Sequence, residues 1–198
     1  MPAPSRLTRN VAVNLAGQSL LLVLGLIAVK VVFVRLGDDA LGLIYFTLAL
    51  NTLLCAALDL GIASTTVRQV SAHAGRDDGY VESLVRTAGL FYWLAWLGLA
   101  VLLWLSAPWL VSHWVNLGAL DAPTAVHALR VLGLGALTAL PRSLYASVFA
   151  GLQRMEVSNA IDVAASALQQ AGTVVVLAAG GGLMAVAAWF ALDRKSVV

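Results

Sequence analysis

The chain has 198 residues, 61% of them hydrophobic and 11% charged, with a formal net charge of +2 at pH 7 and a mean hydropathy of +0.89. A soluble domain carries about 25% charged residues, so this balance excludes an ordinary water-soluble domain and places the chain among polytopic membrane proteins. The basic residues stand singly between apolar runs and form no patch, which excludes nucleic acid as a partner.

The expected fold class is all-α, a polytopic transmembrane helix bundle of about six spans. A short polar start with Arg6 and Arg9 precedes an apolar run over 11–34. The apolar core of a signal peptide runs about 7–15 residues, so this longer run reads as a retained first span. Asn14, Gln18 and Gly25 share one face of it. Lys30 and Arg35 lie towards its far end, where long side chains snorkel to the interface; the alternative for Lys30 is to face the lumen and meet an anionic substrate.

Leu36-Gly37-Asp38-Asp39 is a tight polar turn, and a second span follows over 41–63. Thr52, Cys55 and Asp59 form a stripe on it at helical spacing. Asp59 is an acid at membrane depth, open to three roles: carrying a proton or ion, pairing with Arg68, or resting satisfied near the interface. Cys55 has no second cysteine to bond, so no disulfide framework or thiol metal site arises, and a small core residue is expected.

Residues 67–86 are the most polar stretch and read as a loop with helical ends. The third span covers 84–105, with Tyr92, Trp93, Trp104, Trp109 and Trp114 forming an aromatic belt at the membrane surfaces. An external loop is expected over 106–123, then a fourth span over 126–150. Within it Pro141 removes a backbone donor and kinks the helix beside Arg142.

The fifth span, 157–179, carries Asn159, Asp162, Ser166, Gln169, Gln170 and Thr173 at steps of three and four, which places them on one helix face. Such a face cannot rest against lipid. It looks either at other helices, as polar glue, or at a water-filled cavity. Asp162 favours the cavity, as a second candidate ion-coupling acid beside Asp59.

Gly180-Gly181-Gly182 is a turn. A sixth span begins at 183 but is truncated at 192, about 15 Å of helix, before Asp193-Arg194-Lys195. Residues 193–198 read as a translated sequencing adapter, a non-native tail, with the protein expected to continue. With the N-terminus cytoplasmic, the inner side holds seven basic residues (Arg6, Arg9, Arg68, Arg76, Arg86, Arg142, Arg154) against three outside (Lys30, Arg35, Arg130). The positive-inside rule therefore sets a multi-pass protein of the cytoplasmic membrane with an inner start.

No nucleophile elbow, zinc-protease motif or phosphate-binding loop occurs, and His73, His113 and His127 are dispersed. The chain is therefore expected not to be an enzyme and to need no cofactor. A membrane-embedded acyl- or glycosyltransferase, the alternative of another class, would require a catalytic histidine or paired acids near one interface.

Arg35-Leu36-Gly37, then Leu41-Gly42-Leu43, then Asp59-Leu60-Gly61 with Arg68 beyond, resembles the opening of Wzx-type polysaccharide flippases. Gly151-Leu152-Gln153-Arg154-Met155, Asn159 and Gly180-Gly181-Gly182-Leu183 are similar to the fourth-to-sixth helix region of the same MATE-like superfamily. The resemblance covers nearly all of 7–192. It implies the N-terminal lobe of a transporter of 12–14 helices that moves undecaprenyl-diphosphate-linked oligosaccharide across the membrane for cell-surface polysaccharide biosynthesis. Its partners would be the bilayer, the lipid-linked substrate, and the polymerase and glycosyltransferases of that pathway. Lys30, Arg35, Arg68 and Arg142 are then the candidate diphosphate contacts, with Asn159, Ser166, Gln169 and Gln170 facing the sugars. A MATE-like cation-coupled drug exporter, using Asp59 and Asp162, is the alternative within the superfamily.

Overall fold

A computed structural model describes the backbone of residues 4–58, 61–152 and 155–195 and the side chains of 18–19, 21–57, 61–152 and 160–192. The described residues form helices and turns with no strand: α1 (Pro4–Leu58), α2 (Ile62–His73), α3 (Asp78–Trp114), α4 (Ala122–Leu137), α5 (Ala139–Gly151), α6 (Met155–Ala178) and α7 (Leu183–Lys195).

The expected turn after the first span is narrower than four residues. One residue, Gly37, breaks α1 into two arms, with φ 85° and ψ 178°, a backbone state that glycine tolerates and side chains resist. Asp38 and Asp39 already belong to the second arm. The other glycine turn follows expectation: Gly180 (φ 87°) ends α6, with Gly181 N donating to Val176 O at 2.9 Å and Gly180 N to Leu177 O at 3.1 Å. This doubly bonded glycine cap satisfies two of the last carbonyls.

The fourth apolar stretch is one 30-residue helix, 122–151, with a joint in it. The joint falls at Thr138, whose ψ of −12° departs from the helical value. Pro141 stands three residues on and lacks the N–H that would reach the Leu137 carbonyl. The expected kink is therefore present, one turn before the proline.

α3 is longer than the expected span at both ends, and the loop read over 106–123 shrinks to 115–121. At its start Asp77 caps the helix by accepting from Tyr80 N at 3.0 Å. Towards its end Pro108 sits inside the helix and leaves the Trp104 carbonyl without its helical donor. Arg130 of α4 supplies the replacement, Nε to Trp104 O at 3.2 Å, and the helix runs on to Trp114.

Packing is organised around α4 and α5. One buried cluster joins Val32, Ala40 and Leu43 of α1 to Ala107 and Val111 of α3, Leu129 and Leu132 of α4, Leu177 of α6 and Val186 of α7. A second joins Tyr92 and Leu103 of α3 to Leu137, Leu140 and Leu144 at the α4–α5 joint. Small residues permit the close approaches: a side-chain carbon on Gly135 would lie 2.7 Å from Ala191 Cα, so α4 and α7 touch backbone to backbone there. Gly172 of α6 likewise makes room for the Trp189 indole.

Three described helical segments are long and apolar enough to cross a membrane: 78–114, 122–151 and 160–178. Their apolar stretches are buried to 22%, 56% and 11%, which makes 122–151 the inner helix and leaves broad apolar faces of α3 and α6 directed outward. Leu90, Leu94, Leu97, Val101 and Leu105 form that outer face on α3. The apolar part of α7, Leu183–Leu192, is a shorter piece.

Candidate functional site

The polar stripe of α6 faces inward. Ile161, Leu168 and Val175 are exposed on one side of the helix, whereas Thr173 is buried and Asp162, Ser166, Gln169 and Gln170 are half-covered by neighbouring helices. Helical periodicity thus separates a surface fit for lipid from a surface that is not.

Gln169, Gln170 and Thr173 line a cleft of about 250 Å³. Its other walls come from both arms of α1, Gly25, Ala28, Val29 and Val32 before the Gly37 break and Leu41, Ile44, Tyr45 and Leu48 after it, with Phe190 of α7 completing it. Among the described residues no charged side chain lines it. Within the stripe the hydroxyl of Thr173 donates to Gln169 O at 2.7 Å, and Trp189 Nε1 donates to the same carbonyl at 3.2 Å. Gln170 is different. Its Oε1 is buried, packs against Gly25 and has no hydrogen-bond partner among the described residues. An acceptor in that state costs about 1–3 kcal/mol unless a donor arrives from outside the fold.

A second cavity of about 420 Å³ lies between the later arm of α1, α3 and α5, lined by Asn51, Thr52, Cys55, Tyr92, Leu140 and Ser143 among others. Cys55 Sγ lies 3.6 Å from Asn51 Oδ1, so the cysteine is part of a polar wall as well as of the packing. Thr52 and Cys55 of the stripe read from the sequence thus line this cavity, Thr52 exposed and Cys55 half-buried, while Asp59, its third member, lies outside the described residues.

Arg142 and Asp162, placed in different roles by sequence, are brought together: Arg142 Nη2 donates to Asp162 Oδ1 across the α5–α6 boundary. The two side chains are 33% and 50% exposed. Lys30, Arg35 and Arg68 are exposed, and none of them lines either cavity. Asn159 belongs to α6, but its side chain lies outside the described residues.

Two features have no counterpart in the sequence reading. Asp39, immediately after the Gly37 break, accepts from Ala119 N at 2.5 Å and Leu120 N at 3.3 Å, tying α1 to the α3–α4 loop. These amides, Ala119 first and then Gly118, hold its carboxyl below the usual range. Asp121 is also held low, by the hydroxyl and amide of Thr124, as it caps α4. The second feature is the Arg130–Trp104 pair: beyond the hydrogen bond, Arg130 Cζ lies 4.5 Å from the Trp104 ring centroid. Among the described residues no group of three or more His, Cys, Asp or Glu is placed to hold a metal ion.

An all-helical architecture among the described residues, three helices of membrane-spanning length and a largely apolar cleft with one polar wall define the class: a helical bundle compatible with residence in a membrane. No family model, curated protein or solved structure matches the chain.

Proposed function

We propose that the chain is the N-terminal lobe of a membrane transporter that flips lipid-linked oligosaccharide across the cytoplasmic membrane, with its N-terminus inside. The six spans of this reading are the two arms of α1, α3, α4 with α5, α6, and α7. One observation carries it: the polar face of α6 turns into a cleft that, among the described residues, contains an unmet buried acceptor, Gln170 Oε1, and no charge. Such a cleft suits neutral hydroxyl groups, each of which can donate to a glutamine while its ring packs on an apolar wall such as Tyr45 or Phe190. It does not suit a diphosphate. The diphosphate falls to the exposed cations Lys30, Arg35 and Arg68, since Arg142 is already engaged by a carboxylate. That engagement also favours the flippase over a cation-coupled exporter, because a carboxylate paired with arginine is a poor free site for a coupling ion.

Deletion of the gene in its native host separates these readings. The flippase reading expects undecaprenyl-diphosphate-linked oligosaccharide to accumulate inside the membrane and surface glycan to fall. Unchanged glycan with increased susceptibility to cationic drugs would instead establish the exporter, and neither effect would remove both.

A further inference from the structure

The Arg130–Trp104 pair lies apart from the proposed transport cleft and has a chemistry of its own. Pro108 leaves the Trp104 carbonyl without a helical donor, Arg130 Nε fills that gap at 3.2 Å, and the guanidinium comes to rest over the Trp104 ring. Both contacts use the Nε edge and the π face of the group. They leave the Nη1–Nη2 fork, the edge that binds two oxygens of a phosphate at once, without a partner among the described residues. Arg130 is only partly covered, and His127, one turn earlier on the same face of α4, is exposed. Its Nδ1–H is spent on Pro123 O at 2.8 Å.

The surroundings fix the depth of this cation. The exposed apolar face of α3 gives way at this end to Trp104, Trp109 and Trp114, which are 48%, 52% and 64% exposed. Tryptophans in that position mark the headgroup level of a bilayer. A cation held there, with no carboxylate paired to it among the described residues, has phosphate as its natural counterion.

We propose that Arg130, seated on Trp104, is a binding site for the headgroup phosphate of an anionic phospholipid at the α3–α4 face. Zwitterionic lipid is disfavoured because its own ammonium already neutralises the phosphate, whereas the phosphate of phosphatidylglycerol is free to accept the fork.

The test is native mass spectrometry of the full chain released from nanodiscs of equal phosphatidylglycerol and phosphatidylcholine. The wild type should retain phosphatidylglycerol about five-fold over phosphatidylcholine, the factor expected of one cation at the membrane surface. Arg130→Gln should bring that ratio close to one. Arg130→Lys keeps a charge and a donor for the Trp104 carbonyl but lacks the fork, so it should fold and lose at least half of the preference; it decides the matter even if the Gln variant does not assemble. Equal retention of both lipids by the wild type, or wild-type selectivity in the Lys variant, would overturn the site. Displacement of the lipid by excess inorganic phosphate would assign the site to free phosphate and overturn the lipid.

Discussion

Arg142 of α5 and Asp162 of α6 form the one ion pair among the described residues, and it joins two helices just beyond the joint at Thr138. Both side chains are partly exposed, so the pair is a modest brace between helices. A double-mutant cycle on Arg142→Ala and Asp162→Ala, followed by unfolding in micelles, should give a coupling of about 1 kcal/mol or less. The charge-swapped protein, Arg142→Asp with Asp162→Arg, should recover most of the loss. No recovery in the swap would show that the positions serve different neighbours.

Asp39 and the amides of Ala119 and Leu120 predict a pH dependence in the loop over 115–121. The folded carboxyl is held below its ordinary value. The clamp is therefore complete above the unfolded pKa of about 3.9 and fades as pH falls through the lower folded value. Asp39→Ala should raise the hydrogen exchange of Ala119 and Leu120 at neutral pH, after correction for intrinsic rates. The wild type should approach the variant only below about pH 4. Equal protection in both proteins at pH 7 would remove the clamp.

Pro108 and Arg130 should be energetically coupled through the Trp104 carbonyl. Arg130→Met removes the donor, leaves that carbonyl orphaned and should cost about 1–3 kcal/mol in thermal or denaturant unfolding. In a Pro108→Ala background the helix supplies its own N–H, so the same substitution should cost well under half as much. An equal cost in the two backgrounds would mean that Arg130 stabilises the helix by other contacts.

Much of the architecture was legible because apolar run length and glycine placement are local signals. The breaks at Gly37 and Gly180, the joint near Pro141 and the inward face of α6 all follow from residues within a turn or two of the feature they determine. The extent of α3 was not legible. Pro108 reads as a helix stop, and the arginine that offsets it is 22 residues away on another helix. Asp39 likewise finds its partners 80 and 81 residues on. Arg142 and Asp162 were both legible as candidates, but their pairing was not, since no spacing rule relates residues on adjoining helices. Lys30, Arg35 and Arg68 show the converse: a basic residue at the end of an apolar run signals an interface, and nothing in its type says whether it lines a cavity; none of the three lines either cavity described above.

The most direct measurement concerns Gln170, whose buried Oε1 carries the proposed function. Retention of undecaprenyl-diphosphate-linked oligosaccharide by the purified chain is compared with retention of undecaprenyl diphosphate lacking sugar, for the wild type and Gln170→Leu. The wild type should prefer the sugar-bearing lipid by about ten-fold, the worth of one or two hydrogen bonds in a covered site. Gln170→Leu should lose that preference with unchanged or slightly raised stability, because an unmet acceptor has been replaced by an apolar side chain. A preference that survives in Gln170→Leu, or a wild type indifferent to the sugar, would show that Gln170 does not bind the glycan.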